Sequence, residues 1–142
     1  MGPMLLFTGY RSPSCDLYPE EKAAMVESSV LDYAFLALSR HTTVPKTYVQ
    51  DKLLEAAPLV YRMLNERNGH FYVCGDCAMA EDVANTLRLV FQKAGGLDKE
   101  QSEEYLVNLR VILFENNVYP SYRRCFFTER EALPGRHFRN YL

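Results

Sequence analysis

Ala37-Leu-Ser-Arg-His-Thr-Thr-Val-Pro-Lys-Thr-Tyr-Val-Gln50 and His70-Phe-Tyr-Val-Cys-Gly-Asp-Cys-Ala-Met-Ala80 decide how this chain is read. In each, polar groups follow directly on an apolar, strand-like run. The carboxyl ends of strands are where open α/β sheets bind ligands. Met4-Leu-Leu-Phe-Thr-Gly-Tyr10 reads as a first buried strand, Tyr33 to Leu38 as a second and Phe71 to Cys74 as a third. All three are continuous apolar runs rather than alternating ones, which favours a parallel sheet covered on both faces.

Helical patterns separate the strands. Asp16 to Ser28 is charged and helix-compatible, with Pro19 suited to a first turn. Val49, Leu53, Ala57, Tyr61 and Leu64 recur every three or four residues and predict one buried face. Pro58 interrupts that pattern and predicts a kink or a delayed start. Met79, Val83, Leu87, Val90 and Ala94 form another stripe, closed by Gly95-Gly96. Asp98 with Gln101 has the spacing of a capping box, and Tyr105, Leu106 and Leu109 follow it. The expected fold is α/β, a doubly wound, Rossmann-like parallel sheet. Beyond Arg110 no clean periodicity remains, so the expected organisation is one domain over 1–110 and a poorly specified tail over 111–142. The tail arginines, among them Arg123 and Arg124, read as a solvated segment diluted by Glu129 and Glu131.

Bulk composition narrows the classes. A chain of 142 residues with 48% hydrophobic and 24% charged residues can bury one real core. A net charge of −2 gives no global electrostatic case for nucleic acid. No run approaches the roughly 18 apolar residues of a membrane span, and the opening lacks the basic region of a signal peptide. A cytoplasmic protein is the expectation. Cys15, Cys74, Cys77 and Cys125 then read as thiols rather than a disulfide framework. Cys74 and Cys77 lack a second ligand pair, so no metal site is expected.

The chemistry sits in the two quoted stretches. Ser39, Arg40, Lys46, Tyr48 and Gln50 bring a hydroxyl, a guanidinium and an ammonium to one loop, a set suited to a phosphate monoester dianion. Tyr48 can stack on an adenine ring. A basic set here separates NADP from NAD, whose free ribose hydroxyl usually meets an acidic residue. The plain alternative is a solvated loop with ordinary surface charges. In the second stretch, Gly75 permits close backbone approach, Asp76 can cap the following helix, and Asp82 lies in its first turn. Cys74 is either a cleft-facing thiol or an ordinary buried one. C-x-x-C between strand and helix also fits a thiol–disulfide oxidoreductase using Cys74 and Cys77. The chain has no Trp, and nothing else in it supports that reading. Arg11, after Gly9, can reach a pyrophosphate, or is simply an exposed arginine.

Leu6 to Arg11, Asp16 to Glu21, Leu36 to Arg40, Pro45 to Asp51, Gly69 to Asp76 and Met79 to Val83 resemble, in order and spacing, the NADPH-binding half of a diflavin reductase. The likeness is to the nitric oxide synthase family, with its ferredoxin–NADP reductase-like NADP domain, over about residues 4–110. The Pro-Lys-Thr-Tyr-Val-Gln-Asp string and the two residues between Cys-Gly-Asp and Met-Ala carry the choice of family. The resemblance implies that Ser39, Arg40, Lys46, Tyr48 and Gln50 hold the adenosine 2′-phosphate and adenine. Arg11 and Asp82 would position the rest of NADPH, and Cys74 and Asp76 would lie by the nicotinamide, where hydride passes to FAD. In the complete enzyme it further implies FMN, haem and tetrahydrobiopterin, and nitric oxide made from arginine. A full-length reductase or a second copy of the chain are the protein partners it suggests.

The chain departs from the family in three respects. The resemblance starts at the family's second Rossmann strand, implying an incomplete sheet that lacks the first strand and its glycine-rich turn and has a gap between its halves. Tyr10 stands where the family has Cys. The similarity stops at Leu109-Arg110, where the family's flavin-shielding aromatic and its acidic partner are replaced by Val111-Ile-Leu-Phe-Glu-Asn-Asn-Val-Tyr119. The expected result is a portion inactive by itself, or a non-catalytic NADP(H)-binding module.

Overall fold

A computed structural model describes residues 3–109 in full and the backbones of 111–115 and 123–128. The chain runs β1 (Leu5–Tyr10), a 3-10 turn (Pro13–Cys15), α1 (Pro19–Glu27) and β2 (Tyr33–Leu38). It continues with α2 (Val49–Glu55), α3 (Ala57–Asn65), β3 (His70–Gly75), α4 (Cys77–Gly95) and α5 (Lys99–Asn108), then β4 (Val111–Glu115) and β5 (Arg123–Thr128). The five strands form one sheet in the order β2-β1-β5-β3-β4.

The sheet is two parallel pairs joined by a reversed strand. β1 pairs parallel with β2, Leu5 opposite Tyr33 and Tyr10 opposite Leu38. β3 pairs parallel with β4, Phe71 opposite Val111. β5 lies between the pairs and runs antiparallel to both, with Phe127 opposite Leu5 on one side and Phe71 on the other. Where the resemblance implies a gap between two halves, this strand stands. Two strands therefore occur in the stretch beyond Arg110 for which the sequence pattern suggests none. The missed signal is physical. A strand need not alternate, and Val111-Ile-Leu-Phe is a continuous apolar run of β-compatible residues. The remainder of the tail, and the tail's own side chains, lie outside the described residues.

Alternate residues of β1 serve opposite faces. Leu5 and Phe7, with Ala37 of β2, join the main core beneath α2, α3 and α4. Thr8, with Ala34 and Leu36 of β2, lines the other face with Pro19, Ala23 and Val26 of α1. Helices thus cover both faces, as a doubly wound sheet requires, but unequally. α1 buries no residue, whereas α4 buries Met79, Val83, Thr86, Leu87, Val90 and Phe91. The expectation of a buried second strand is corrected accordingly: β2 is the sheet's edge in the described order, and Tyr33 and Leu36 are exposed. An apolar run alone does not reveal whether a neighbour arrives to cover it.

The helix punctuation follows the sequence closely, except that Asp82 falls in the second turn of α4 rather than the first, because the helix already starts at Cys77. At Pro58 the chain breaks into two helices rather than kinking one, with the proline in the first turn of α3, where it leaves no hydrogen bond unmade. Asp76 caps α4 by accepting the Met79 N–H at 2.8 Å. α4 ends on Gly96, whose φ of +66° is a left-handed cap that suits glycine. The Asp98–Gln101 capping box is complete, with reciprocal bonds of 2.8 and 3.0 Å.

Candidate functional site

The ends of β1 and β2 are stitched together beyond the strands. Ser39 N–H donates to Tyr10 O at 2.9 Å and Arg40 N–H to Arg11 O at 2.7 Å. These bonds prolong the parallel ladder by two residues and carry Arg11 and Arg40 out side by side. The loop then folds back on the strand that launched it. Thr47 N–H donates to Leu38 O at 2.9 Å, and the Thr47 hydroxyl accepts from Leu38 N–H at 3.1 Å. This clasp returns Lys46 and Tyr48 to the residues at which the loop began. Thr47 was not singled out from sequence; a hydroxyl beside an otherwise open strand end was the only available cue.

α2 starts at once after the clasp. Its first residue, Val49, is buried against β1. A Cβ on Gly9 would lie 2.8 Å from Val49 Cγ2, so glycine is what allows the helix this close. Asp51 secures the start of the helix by accepting the Tyr48 N–H at 2.7 Å.

The result is a cleft of about 270 Å³ at the carboxyl ends of β1 and β2. Arg11, Ser39, Arg40, Lys46, Tyr48 and Gln50 all line it, together with Gly9, Tyr10 and Thr47. Six of the nine residues singled out from sequence therefore share one cavity. Its volume lies just under the ~300–1,000 Å³ of small-molecule pockets, which suits one end of a dinucleotide better than the whole. Lys46 Nζ sits 4.9 Å from the centre of the Tyr48 ring. Among the described residues, Arg11, Arg40 and Lys46 make no ion pair with a carboxylate. Three cations at one exposed mouth repel one another, and a phosphate dianion relieves that repulsion.

Cys74, Asp76 and Asp82 stand apart, on β3 and α4. Cys74 is half-buried near the end of β3, while Asp76 and Cys77 are exposed at the start of α4. One Asp76 oxygen is committed to the helix cap. Asp82 is the link back to the cleft: Gln50 Nε2 donates to its Oδ2 at 3.1 Å, joining α2 to α4 on the same face of the sheet. Between the two groups lies β5, whose register sets Arg123 opposite Gly9, and Arg124 opposite both Thr8 and Cys74. A tail arginine pair read as solvated thus starts the central strand; that placement depends on long-range pairing, which no local pattern encodes.

Tyr10 is buried, and its hydroxyl makes no hydrogen bond among the described residues. Its ring is buried against Lys22, whose Nζ lies 5.2 Å from the ring centre and pairs with Asp16. Cys15 lies on the turn after Arg11. Its thiol is exposed and held below the ordinary thiol range, chiefly by the hydrogen bond with Ser12, with the positive charge of Arg11 contributing least.

The model of the oxidoreductase NAD-binding domain matches residues 1–85. Nitric oxide synthase of Bombyx mori is 44% identical over 108 residues, covering 76% of this chain. That of Anopheles stephensi is 45% identical over 105 residues, covering 74%. The inducible nitric oxide synthase of Canis lupus familiaris is 46% identical over 109 residues, covering 75%. The chain spans only 8–9% of the length of these relatives. With strands whose carboxyl ends converge on a basic cleft, and with this match over more than half its length, the chain belongs to the oxidoreductase NAD-binding domain family.

Proposed function

We propose that the chain is the NADPH-binding portion of a nitric oxide synthase-like flavoprotein oxidoreductase. The observation that carries this reading is the convergence of Arg11, Ser39, Arg40, Lys46, Tyr48 and Gln50 on one cleft at the strand ends. Ser39, Arg40 and Lys46 hold the adenosine 2′-phosphate, with Arg40 as the planar, permanently charged donor. Tyr48 and Gln50 hold the adenine end, and Arg11 and Asp82 orient the rest. The adenine would enter on the Tyr48 face that Lys46 leaves uncovered.

Cys74 and Asp76 lie at the far end of the same dinucleotide, beside the nicotinamide. When bound, NADPH supplies a hydride, which FAD accepts in the complete enzyme. The protein's part is alignment and the exclusion of water around the transfer. FMN, haem, tetrahydrobiopterin and the synthesis of nitric oxide from arginine belong, on this reading, to the complete enzyme. None of the residues assigned here is a flavin ligand. The purified chain is therefore expected to support no NADPH-dependent reduction of an artificial acceptor unless a flavoprotein partner is added. A full-length reductase would be that partner, in the cytoplasm; a second copy of the chain is the other protein partner this reading allows, and it would bring no flavin.

The reading is tested by calorimetric titration of the purified chain with 2′,5′-ADP, using 5′-AMP as control. Saturable binding that requires the 2′-phosphate and falls at least about tenfold in Arg40→Ala supports it. Equal binding of the two nucleotides, or no binding by a chain with a cooperative melt, overturns it.

A further inference from the structure

β2 ends the described sheet on one side, and no described strand lies against its outer edge. The bonds at its carboxyl end tell which backbone groups point outward. Ser39 N–H reaches inward to Tyr10 O, so Ala37, Phe35 and Tyr33 also turn their backbone groups toward β1. Leu38 faces away, and Thr47 takes both its N–H and its oxygen. By the same alternation Leu36 and Ala34 face away. Among the described residues nothing meets the outward N–H and C=O groups of these two.

An open edge is ordinarily protected by a charge, a proline or a bulge. Tyr33-Ala-Phe-Leu-Ala-Leu38 has no charge and no proline, and its register with β1 runs without a bulge. Apolar surface gathers around it. Met25, Val26, Val30, Tyr33 and Leu36 are five of the ten exposed large hydrophobic residues among those described. Such a concentration marks an interaction face rather than scatter.

The open groups select what can cover them. A second β2 laid antiparallel, with Phe35 of each copy on a two-fold axis, sets Ala34 opposite Leu36 of the other copy. Each such pair exchanges both its hydrogen bonds, so no outward group of Ala34 or Leu36 is left open on either chain. Sliding the register by two residues one way sets Ala34 against Leu38, which Thr47 already holds. Sliding it the other way sets Leu36 against Asp32, whose N–H is given to Met4 O. Shape and charge fit the same register. The small Ala34 leaves room for Leu36 of the other copy, where α1 stands off the sheet over a cavity of about 460 Å³. Exposed Asp32 precedes the strand and exposed Arg40 and Lys46 follow it, so antiparallel pairing brings each acidic end to a basic one.

We infer that β2 is a homodimerisation edge, through which two copies of this chain join their sheets about a two-fold axis at Phe35. The contact is isologous and uses up this edge on both copies, so it stops at the dimer. It gives the second copy suggested above a docking surface, and it does not rest on the NADPH reading.

Sedimentation velocity of the whole chain, without nucleotide, tests the inference. Between about 1 and 300 μM the chain is expected to pass from monomer to dimer, as suits a small interface. Ala34→Pro removes an outward N–H at an edge position that tolerates proline, and with it half of the new bonds. Leu36→Lys sets a charge on the edge. Each should weaken the dimer at least about tenfold. Val107→Lys, at an exposed position on α5, should leave it unchanged. Hydrogen exchange of the wild type needs no variant: the Ala34 and Leu36 amides should slow as concentration rises through the transition.

A chain still monomeric at about 300 μM overturns the inference. So does a dimer that both variants leave intact, or one in which the Ala34 and Leu36 amides exchange as in the monomer. Growth past the dimer without a plateau overturns the closed two-fold contact. Where a variant loses its cooperative melt, the exchange of the wild type decides. Loss of 2′,5′-ADP binding by an intact dimer would strike the NADPH reading and leave this one standing.

Discussion

The β1–β2 half and the β3–α4 half of this molecule divide stability from recognition. Around β1 and β2 the edge strand is exposed, α1 buries nothing, and three cations crowd one mouth. Around β3, a 19-residue helix is capped at both ends and buries six side chains, and α5 locks onto it through Arg88 and Glu103. The candidate site, which on the proposed reading admits and releases a phosphate, sits where little else holds the chain. The opposite half supplies the rigid frame against which that site is set.

The comparison breaks most directly in the core. Phe91 is fully buried and meets Tyr105 edge-on, with centroids 4.7 Å apart. Phe91→Ala should lower the unfolding free energy in urea by about 3–5 kcal/mol. Met25→Ala on α1, at 44% exposure, should change it by no more than about 0.5 kcal/mol. Comparable losses at the two sites would mean that stability is shared evenly after all.

Next in size is the cap of α4. Asp76→Ala removes the bond to Met79 N–H and should cost about 1 kcal/mol, with 2′-phosphate affinity unchanged. A loss of 2′-AMP binding in a folded Asp76→Ala chain would show that the halves are coupled, with the Gln50–Asp82 bond as the natural route.

A smaller effect lies on the α4–α5 clamp. The hydrogen bond from Arg88 holds the exposed Glu103 carboxyl below its ordinary value. Because the folded value is the lower one, the contribution is complete above the ordinary 4.5 and is lost as pH falls through the depressed value. Comparing urea midpoints of wild type and Glu103→Gln from pH 7 down to pH 3 should show the two converging on the acid side. Parallel curves would mean that the pair contributes nothing.

The smallest effect concerns Cys15, on the weakly covered half. Its lowered thiol should be alkylated by iodoacetamide in the native protein, with a midpoint below that of a free cysteine. Ser12→Ala should move that midpoint up. An unmoved midpoint would show that Ser12 does not hold the thiolate.

What the residues disclosed in advance was mostly local. The capping pair Asp98 and Gln101, the stop at Gly96, the stripe from Met79 to Val90 and the loop from Ser39 to Gln50 depend on neighbours within a few positions. Their chemistry is visible in the string itself. What stayed hidden depends on partners far along the chain. Whether Tyr33 and Leu36 are covered is settled by how few residues α1 buries. The direction of Arg123 to Thr128 is settled by two strands that begin more than fifty residues earlier. The cleft was legible as a residue set. Its closing by Thr47, and its separation from Cys74 by a reversed strand, were not.

The central place of β5 bears on the order in which the molecule is made. β1 and β3 leave the ribosome well before the strand that joins them. A nascent chain that has already emitted β1 through β4 holds two separate ribbons, each with an unpaired inner edge open to other chains. Completion waits for a contact that spans most of the sequence, which is slow to find. Translation that stalls before Arg123 would thus release a sheet still in two pieces, a natural client for chaperones.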